Sequence, residues 1–351
     1  MKKLTKRLTA LVFIVAIGFG TYGLIQYRYL NPSFDEKRTP LKYFWVYPRD
    51  LDYGLDIVEN HTDQIDIISP TLYGLNGKGG LKSDWLEQDP NEHEQTLIEF
   101  VERCNAQKVS VIPMIGTGET ENIRALLENQ TAMNQFMDNI RENLTHFGFS
   151  GVNIDFEHLD EDLGDDFLFF FQNLKDTLPE NSTLSVDLPA LTKNIKSGWG
   201  AWVDYQKIGN ISDQVMIMTY DNHGGWSAPG ELAPISWVKR VLAYSTKEIP
   251  LEKLFIGIPR YGYDWSEDES WENWGYGYSF FQERYEIYGG TKSRTEDGYE
   301  IKYQYEDGDG YQHVAYYCDA NTTWHKEDFL KNYPVAGYCY WHLASGDPRY
   351  F

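Results

Sequence analysis

At 351 residues with 42% hydrophobic side chains, the chain is long enough to bury one large core, and its formal charge of −22 excludes the basic surface that nucleic acids require. The charge is uneven: residues 1–38 carry seven Lys and Arg against two Asp and Glu, or +5, which leaves −27 on the remainder. Three cysteines, Cys104, Cys318 and Cys339, are too few for a disulfide-built scaffold, and eight histidines without close ligand spacing predict neither a metal nor any other cofactor.

In chain order, Lys2, Lys3, Lys6 and Arg7 precede an uncharged run from Leu8 to Ile25. A basic flank before an apolar stretch is the layout of a secretory signal or an uncleaved anchor, so residues 1–30 are read as one or the other and residues 31–40 as a linker. The basic flank stays on the cytoplasmic side of the membrane, which predicts an extracytoplasmic location for the chain after Tyr27, tethered by the N-terminal segment or secreted.

From residue 41 to 351 short apolar runs alternate with amphipathic stretches. The expected strands are Lys42–Tyr47, Ile65–Leu75, Val109–Ile115, Gly151–Glu157, Thr183–Pro189, Gln214–Tyr220, Lys253–Tyr261 and Val335–His342, with helical patterns at Glu94–Gln107, Asn134–His146, Asp165–Leu178 and Ser236–Thr246. Eight such repeats predict an α/β fold, a (β/α)₈ TIM barrel. The last gap is too long for one helix, and the alternating runs Tyr299–Tyr305 and His313–Tyr317 predict a small β-rich insertion at about 266–317, between strands seven and eight. Within it Glu306-Asp307-Gly308-Asp309-Gly310 reads as a hairpin tip. Cys104 falls in a helical pattern and Cys339 in an apolar strand, which predicts free buried thiols.

The chemistry concentrates in Gly151-Val152-Asn153-Ile154-Asp155-Phe156-Glu157. Strand side chains alternate between faces, so Asn153, Asp155 and Glu157 share one face, a costly arrangement unless that face lines a polar cavity. In a (β/α)₈ barrel the C-terminal strand ends surround the active site. Here those ends read Met218-Thr219-Tyr220-Asp221, Tyr261-Gly262-Tyr263-Asp264-Trp265 and Tyr340-Trp341-His342. Acids with aromatic platforms suit glycoside chemistry. Trp265, Trp271 and Trp274 are read either as outer sugar subsites or as subdomain core.

On these motifs the chain resembles glycoside hydrolase family 18, whose fourth-strand motif D-G-x-D-x-D-x-E stands here as Ser150 to Glu157. MTYD, GIPRYGYDW and YWHL match as well, and the form G-V-N-I-D-F-E is most similar to the bacterial spore-cortex and cell-wall branch that hydrolyses peptidoglycan. The resemblance implies a glycosidase working by substrate-assisted retention on an N-acetylated polysaccharide. Glu157 would be the general acid, Asp155 would hold the substrate's acetamido N–H, and Tyr220 would bind the acetamido carbonyl. Asn153 and Asp221 would orient these groups, Trp341 would floor the reacting-sugar subsite, and Met218 and Tyr261 would complete the binding set. A monomer is expected, with the glycan as its partner and no nucleic acid.

Two positions depart from the motif: Ser150 replaces the outermost acid and Asn153 the middle one. Asn153 is therefore expected to leave Asp155 without the acidic neighbour with which relatives share a proton, altering the acid limb of the pH profile. The competing reading is a catalytically silent, lectin-like member that grips the glycan in the same groove. Retention of Glu157 favours the enzyme.

Overall fold

A computed structural model describes residues 39–351, and Pro40–Phe351 form one compact unit. The basic flank, the apolar run and most of the linker lie outside the described residues. Among the described residues no helix is long and apolar enough to cross a membrane.

Eight parallel strands close on themselves: β1 (Leu41–Val46), β2 (Ile67–Leu75), β3 (Met114–Thr117), β4 (Gly151–Phe156), β5 (Thr183–Pro189), β6 (Gln214–Met218), β7 (Leu254–Pro259) and β8 (Gly337–Trp341). Each pairs with the next, and β8 returns to pair with β1, Tyr43 beside Cys339, which makes the expected (β/α)₈ barrel. These strands are buried on both faces and so read as near-continuous apolar runs. Tyr43, Trp45, Ile67, Ile112, Met114, Met216, Phe255 and Cys339 pack together as a buried cluster drawn mainly from the strands. The third strand is shorter than the run Val109–Ile115 suggests, because Pro113 has no N–H to donate and separates Ser110–Val111 from β3.

Helices cover the outside: α1 (Leu51–Asn60), α2 (Pro90–Ala106), α3 (Gln130–Phe147), α4 (Gly164–Thr177), α5 (Tyr205–Ile211) and α6 (Ile235–Glu248). In α3 the buried side chains Met133, Phe136, Met137, Ile140 and Leu144 recur at helical spacing, one apolar stripe turned to the strands. Asn129 caps its start by accepting from the N–H groups of Thr131 and Ala132, and Gly148, at φ +72°, ends it. Phe167, Phe170 and Phe171 form the matching stripe in α4, where Phe170 stacks on Phe156 of β4 at 5.8 Å. The three cysteines are free and buried.

Between β7 and β8 lies a separate five-stranded antiparallel sheet, ordered 276–277, 261–266, 312–317, 301–306 and 291–294, with α7 (Tyr278–Tyr288) packed on it. Tyr261–Trp265, read from the sequence as the end of the seventh strand, instead begins a strand Tyr261–Ser266 that leaves the barrel at Pro259-Arg260 and pairs with Gln312–Tyr317. The chain then returns through α8 (Ala320–Leu330) to β8.

Candidate active site

The fourth strand sets the site. Asn153 is fully buried: its Oδ1 accepts from Trp45 Nε1 at 3.2 Å, and its Nδ2 donates to Asp187 Oδ1 of β5 at 2.9 Å. Asp155 lies two residues on, beside Gly116 of β3, where an added Cβ would stand 3.4 Å from Asp155 Oδ2. Glu157 comes just after the strand, its backbone N–H held by the Thr117 carbonyl at 3.0 Å. Its side chain is 37% exposed at the cleft, with His158 Nε2 3.9 Å from Oε2.

Electrostatics makes this group unusual. Burial, then the charges of Asp187 and Glu157, push the Asp155 carboxyl well above the ordinary carboxylate range, and its Oδ1 has no hydrogen-bond partner among the described residues. Burial also raises Asp187 strongly, against the opposing donor from Asn153. Glu157 is raised by burial and drawn back by His158. Desolvated acids that crowd one another hold protons to higher pH, which is what a proton donor working near neutrality requires.

The sixth and eighth strands supply the opposite wall. Thr219 Oγ1 donates to the Gly257 carbonyl at 2.6 Å, and Gly257 must lack a Cβ because one would meet the Tyr220 ring at 2.8 Å. Burial pushes the Tyr220 phenol well above its usual pKa, so it remains a donor. Asp221, at φ +61°, accepts a hydrogen bond from the Tyr261 phenol; burial raises its carboxyl to about 6, with the tyrosine contact opposing. The Trp341 indole lies 5.6 Å from Trp45 and edge-on to Tyr47 at 6.0 Å. His342 beside it is held neutral, burial lowering its pKa to about 3.

One cleft of about 1170 Å³ brings these groups together: Asp155, Glu157, Met218, Tyr220, Asp221, Tyr261 and Trp341 all line it, and Asn153 is fully buried and bonded to Asp187, which also lines it. A volume above that of ordinary small-molecule pockets suits an oligosaccharide. Trp274 is on the cleft wall and largely exposed. Trp265 lies in the second sheet and donates to the Ser227 carbonyl, and Trp271, in the loop that follows that strand, packs edge-on to His313.

The expectation that Asp155 has no acidic neighbour is overturned, since Asp187 of β5 supplies one. Its signal was present in the sequence: Ser185 and Asp187 share a parity on a strand with apolar residues at the other positions, so Asp187 points into the barrel. Arg49, Trp199 and Trp226 also line the cleft, from segments between or after strands, and nothing in their local sequence marked them.

Acids, a phenol and an indole lining one cleft at the C-terminal end of a (β/α)₈ barrel define a glycosidase-type site. The chain matches the family described as Glycosyl hydrolases family 18 over residues 43–347 and belongs to it. Its curated relatives include the uncharacterized glycosylase YvbX of Bacillus subtilis, 29% identical over 228 residues, covering 63% of this chain and 64% of that one. The cortical fragment-lytic enzyme of Bacillus anthracis is 27% identical over 259 residues, covering 70% and 59%. The chain thus spans less than two thirds of the length of either relative. Among solved structures, the Bacillus cereus spore cortex-lytic enzyme SleL shares the fold with a TM-score of 0.78 at 22% identity, over 90% of this chain and 73% of that one.

Proposed function

We propose that this chain is an exported, membrane-tethered retaining glycosidase that cleaves β-1,4 bonds next to N-acetylated sugars, with peptidoglycan as its substrate. What carries the reading is the placement of Asp155 and Glu157 along one strand in the same cleft as the Tyr220 phenol and the Trp341 indole. Glu157 gives its proton to the glycosidic oxygen as the bond to C1 breaks. The substrate's acetamido carbonyl oxygen attacks C1, forming a bicyclic oxazolinium. Asp155 accepts the acetamido N–H and stabilises the positive charge, and Tyr220 donates to the carbonyl to fix its line of attack. Water then opens the oxazolinium at C1, the Glu157 carboxylate takes the water's proton, and configuration at C1 is retained.

Two observations favour peptidoglycan over chitin. The Bacillus anthracis relative is named as a cortical fragment-lytic enzyme. The cleft rim also offers a cation: Arg49 lies 4.7 Å over the Tyr47 ring, and its Nε stands 3.9 Å from Asp50 Oδ2, beyond hydrogen-bond reach, which leaves its guanidinium donors for a substrate carboxylate. Peptidoglycan carries lactyl and peptide carboxylates, and chitin carries none. Export and tethering rest on the basic flank and the Leu8–Ile25 run. Incubating the protein separately with peptidoglycan and with chitin, then identifying the new reducing-end sugar, tests the activity and substrate together. N-acetylglucosamine ends from peptidoglycan are expected; no reducing ends from either glycan would overturn the proposal.

A further inference from the structure

The acid missing from the fourth strand is present on the fifth. Asn153 stands where the family motif has its middle acid, and its amide nitrogen is bonded at 2.9 Å to a carboxylate, Asp187, that is 3% exposed. Asn153 cannot take or give up a proton, and both its polar atoms are committed, one to Trp45 and one to Asp187. Asp155 and Asp187 both line the cleft, and Asp155 Oδ1 is buried with no hydrogen-bond partner among the described residues. A buried polar atom without a partner is costly unless a proton or a ligand satisfies it during function.

We propose that Asp187 is the positioning partner of Asp155: the two carboxyls hold one proton and one negative charge between them, with Asn153 bridging the strands. Before substrate binds, the charge lies on Asp187, where the Asn153 N–H stabilises it, and the proton on Asp155. When the acetamido N–H docks, that proton passes from Asp155 to Asp187, and the charge moves to Asp155 beside the developing cation. The sum is unchanged, one proton lost by one carboxyl and gained by the other. This step rests on the role of Asp155 proposed above.

The surroundings fit a single shared charge. The titratable groups that act on the pair are Glu157 after β4, Tyr43 from β1, Tyr220 after β6 and Cys339 from β8; none is a cation. Two full negative charges would find no counter-ion among them. Burial holds both acids above the usual carboxylate range, with the Asp187 and Glu157 charges adding to it at Asp155 and the Glu157 charge at Asp187, as expected for a crowded pair that cannot both ionise freely.

Selective ¹³C labelling of aspartate carboxyls in the full chain tests the pair without requiring turnover. In the wild type, the Asp155 and Asp187 signals should each move through the same two midpoints; two independent single-step titrations would overturn the proposal. In Asp187→Asn the Asp155 midpoint should fall by about one pH unit or more, because a neighbouring negative charge has been removed. In the exchange variant Asn153→Asp/Asp187→Asn it should rise again, the acid having returned to the fourth strand. A loss of packing alone would give neither the fall nor the recovery, and an unchanged midpoint in Asp187→Asn sinks the pairing. Should either variant fail to fold, the wild-type titration still decides. A wild type that shows the shared titration but hydrolyses no glycan supports the pair and counts instead against the glycosidase reading.

Discussion

Glu300 and Lys326 form a buried ion pair, Nζ to Oε1 at 3.1 Å, that ties the second sheet to α8 and to the loop behind the cleft wall. Glu300 also accepts from the backbone N–H groups of Leu232 and Ala233 at 2.7 and 2.8 Å, and Lys326 donates to the Ala233 carbonyl at 2.6 Å. Each charge is thus surrounded by partners, so removing one strands the other. Glu300→Ala is expected to cost ~3–5 kcal/mol, measured by urea unfolding. Replacing both, Glu300→Gln with Lys326→Met, should cost less than Glu300→Ala alone. A Glu300→Ala loss under about 1 kcal/mol would show that the pair is not what holds the sheet on the barrel.

Asp221 gives stability a pH dependence of definite sign. Its folded carboxyl is pushed up to about 6, whereas an unfolded Asp titrates near its ordinary value of 3.8. Between about pH 4 and pH 6 the unfolded chain therefore releases this proton while the folded chain keeps it. The unfolded state binds fewer protons, so stability falls as pH rises through that window and the penalty stays constant above it. Asp221→Asn retains an acceptor for the Tyr261 phenol but has no charge to bury. Its stability relative to wild type should rise between about pH 4 and pH 6 and then level off, with activity lost. A difference in unfolding midpoint that is flat with pH would remove Asp221 as the cause.

The barrel was legible because strands buried on both faces read as mostly apolar runs, broken here by polar site residues, and β5 and β6 start where Thr183 and Gln214 suggested. Boundaries failed where a proline intervened: Pro113 splits the third strand, and the break at Pro259-Arg260 sends Tyr261 into another sheet. Glu157, Asp155 and Tyr220 could be found because they occupy one strand or one strand end. Asp187 was missed because its meaning depends on Asn153, 34 positions away and adjacent only across the β4–β5 pairing. Trp226, 72% exposed on the cleft wall, is placed by a loop whose course no local pattern encodes.

Arg49 should separate charged from neutral glycans. Arg49→Ala removes the rim guanidinium while leaving Tyr47 and Trp341 in place, so KM for peptidoglycan fragments should rise about 2- to 5-fold, on the order of one exposed ionic contact, with kcat nearly unchanged. Raised salt should weaken the wild type toward the same value. Turnover of N-acetylglucosamine oligomers should not change. Equal losses on both substrates would mean that Arg49 shapes the cleft rather than reading a carboxylate.

Glu157→Gln separates an enzyme from a glycan-binding protein with the same groove. The amide keeps the size and much of the hydrogen bonding of the acid but has no proton to deliver to the leaving oxygen, so hydrolysis should fall by ~10²- to 10⁴-fold. Affinity for N-acetylated oligosaccharides should hold, because the Trp341 platform and the Tyr220 donor are untouched. Trp341→Ala should act on both, weakening binding by about 1 kcal/mol through the lost stacking surface and slowing the reaction as well. A thiazoline analogue of the oxazolinium should inhibit the wild type, and glycans without an N-acetyl group on the reacting sugar should be left intact. If the wild type binds such oligosaccharides yet releases no reducing ends, and Glu157→Gln changes nothing, then Glu157 is not a general acid and the groove serves recognition alone.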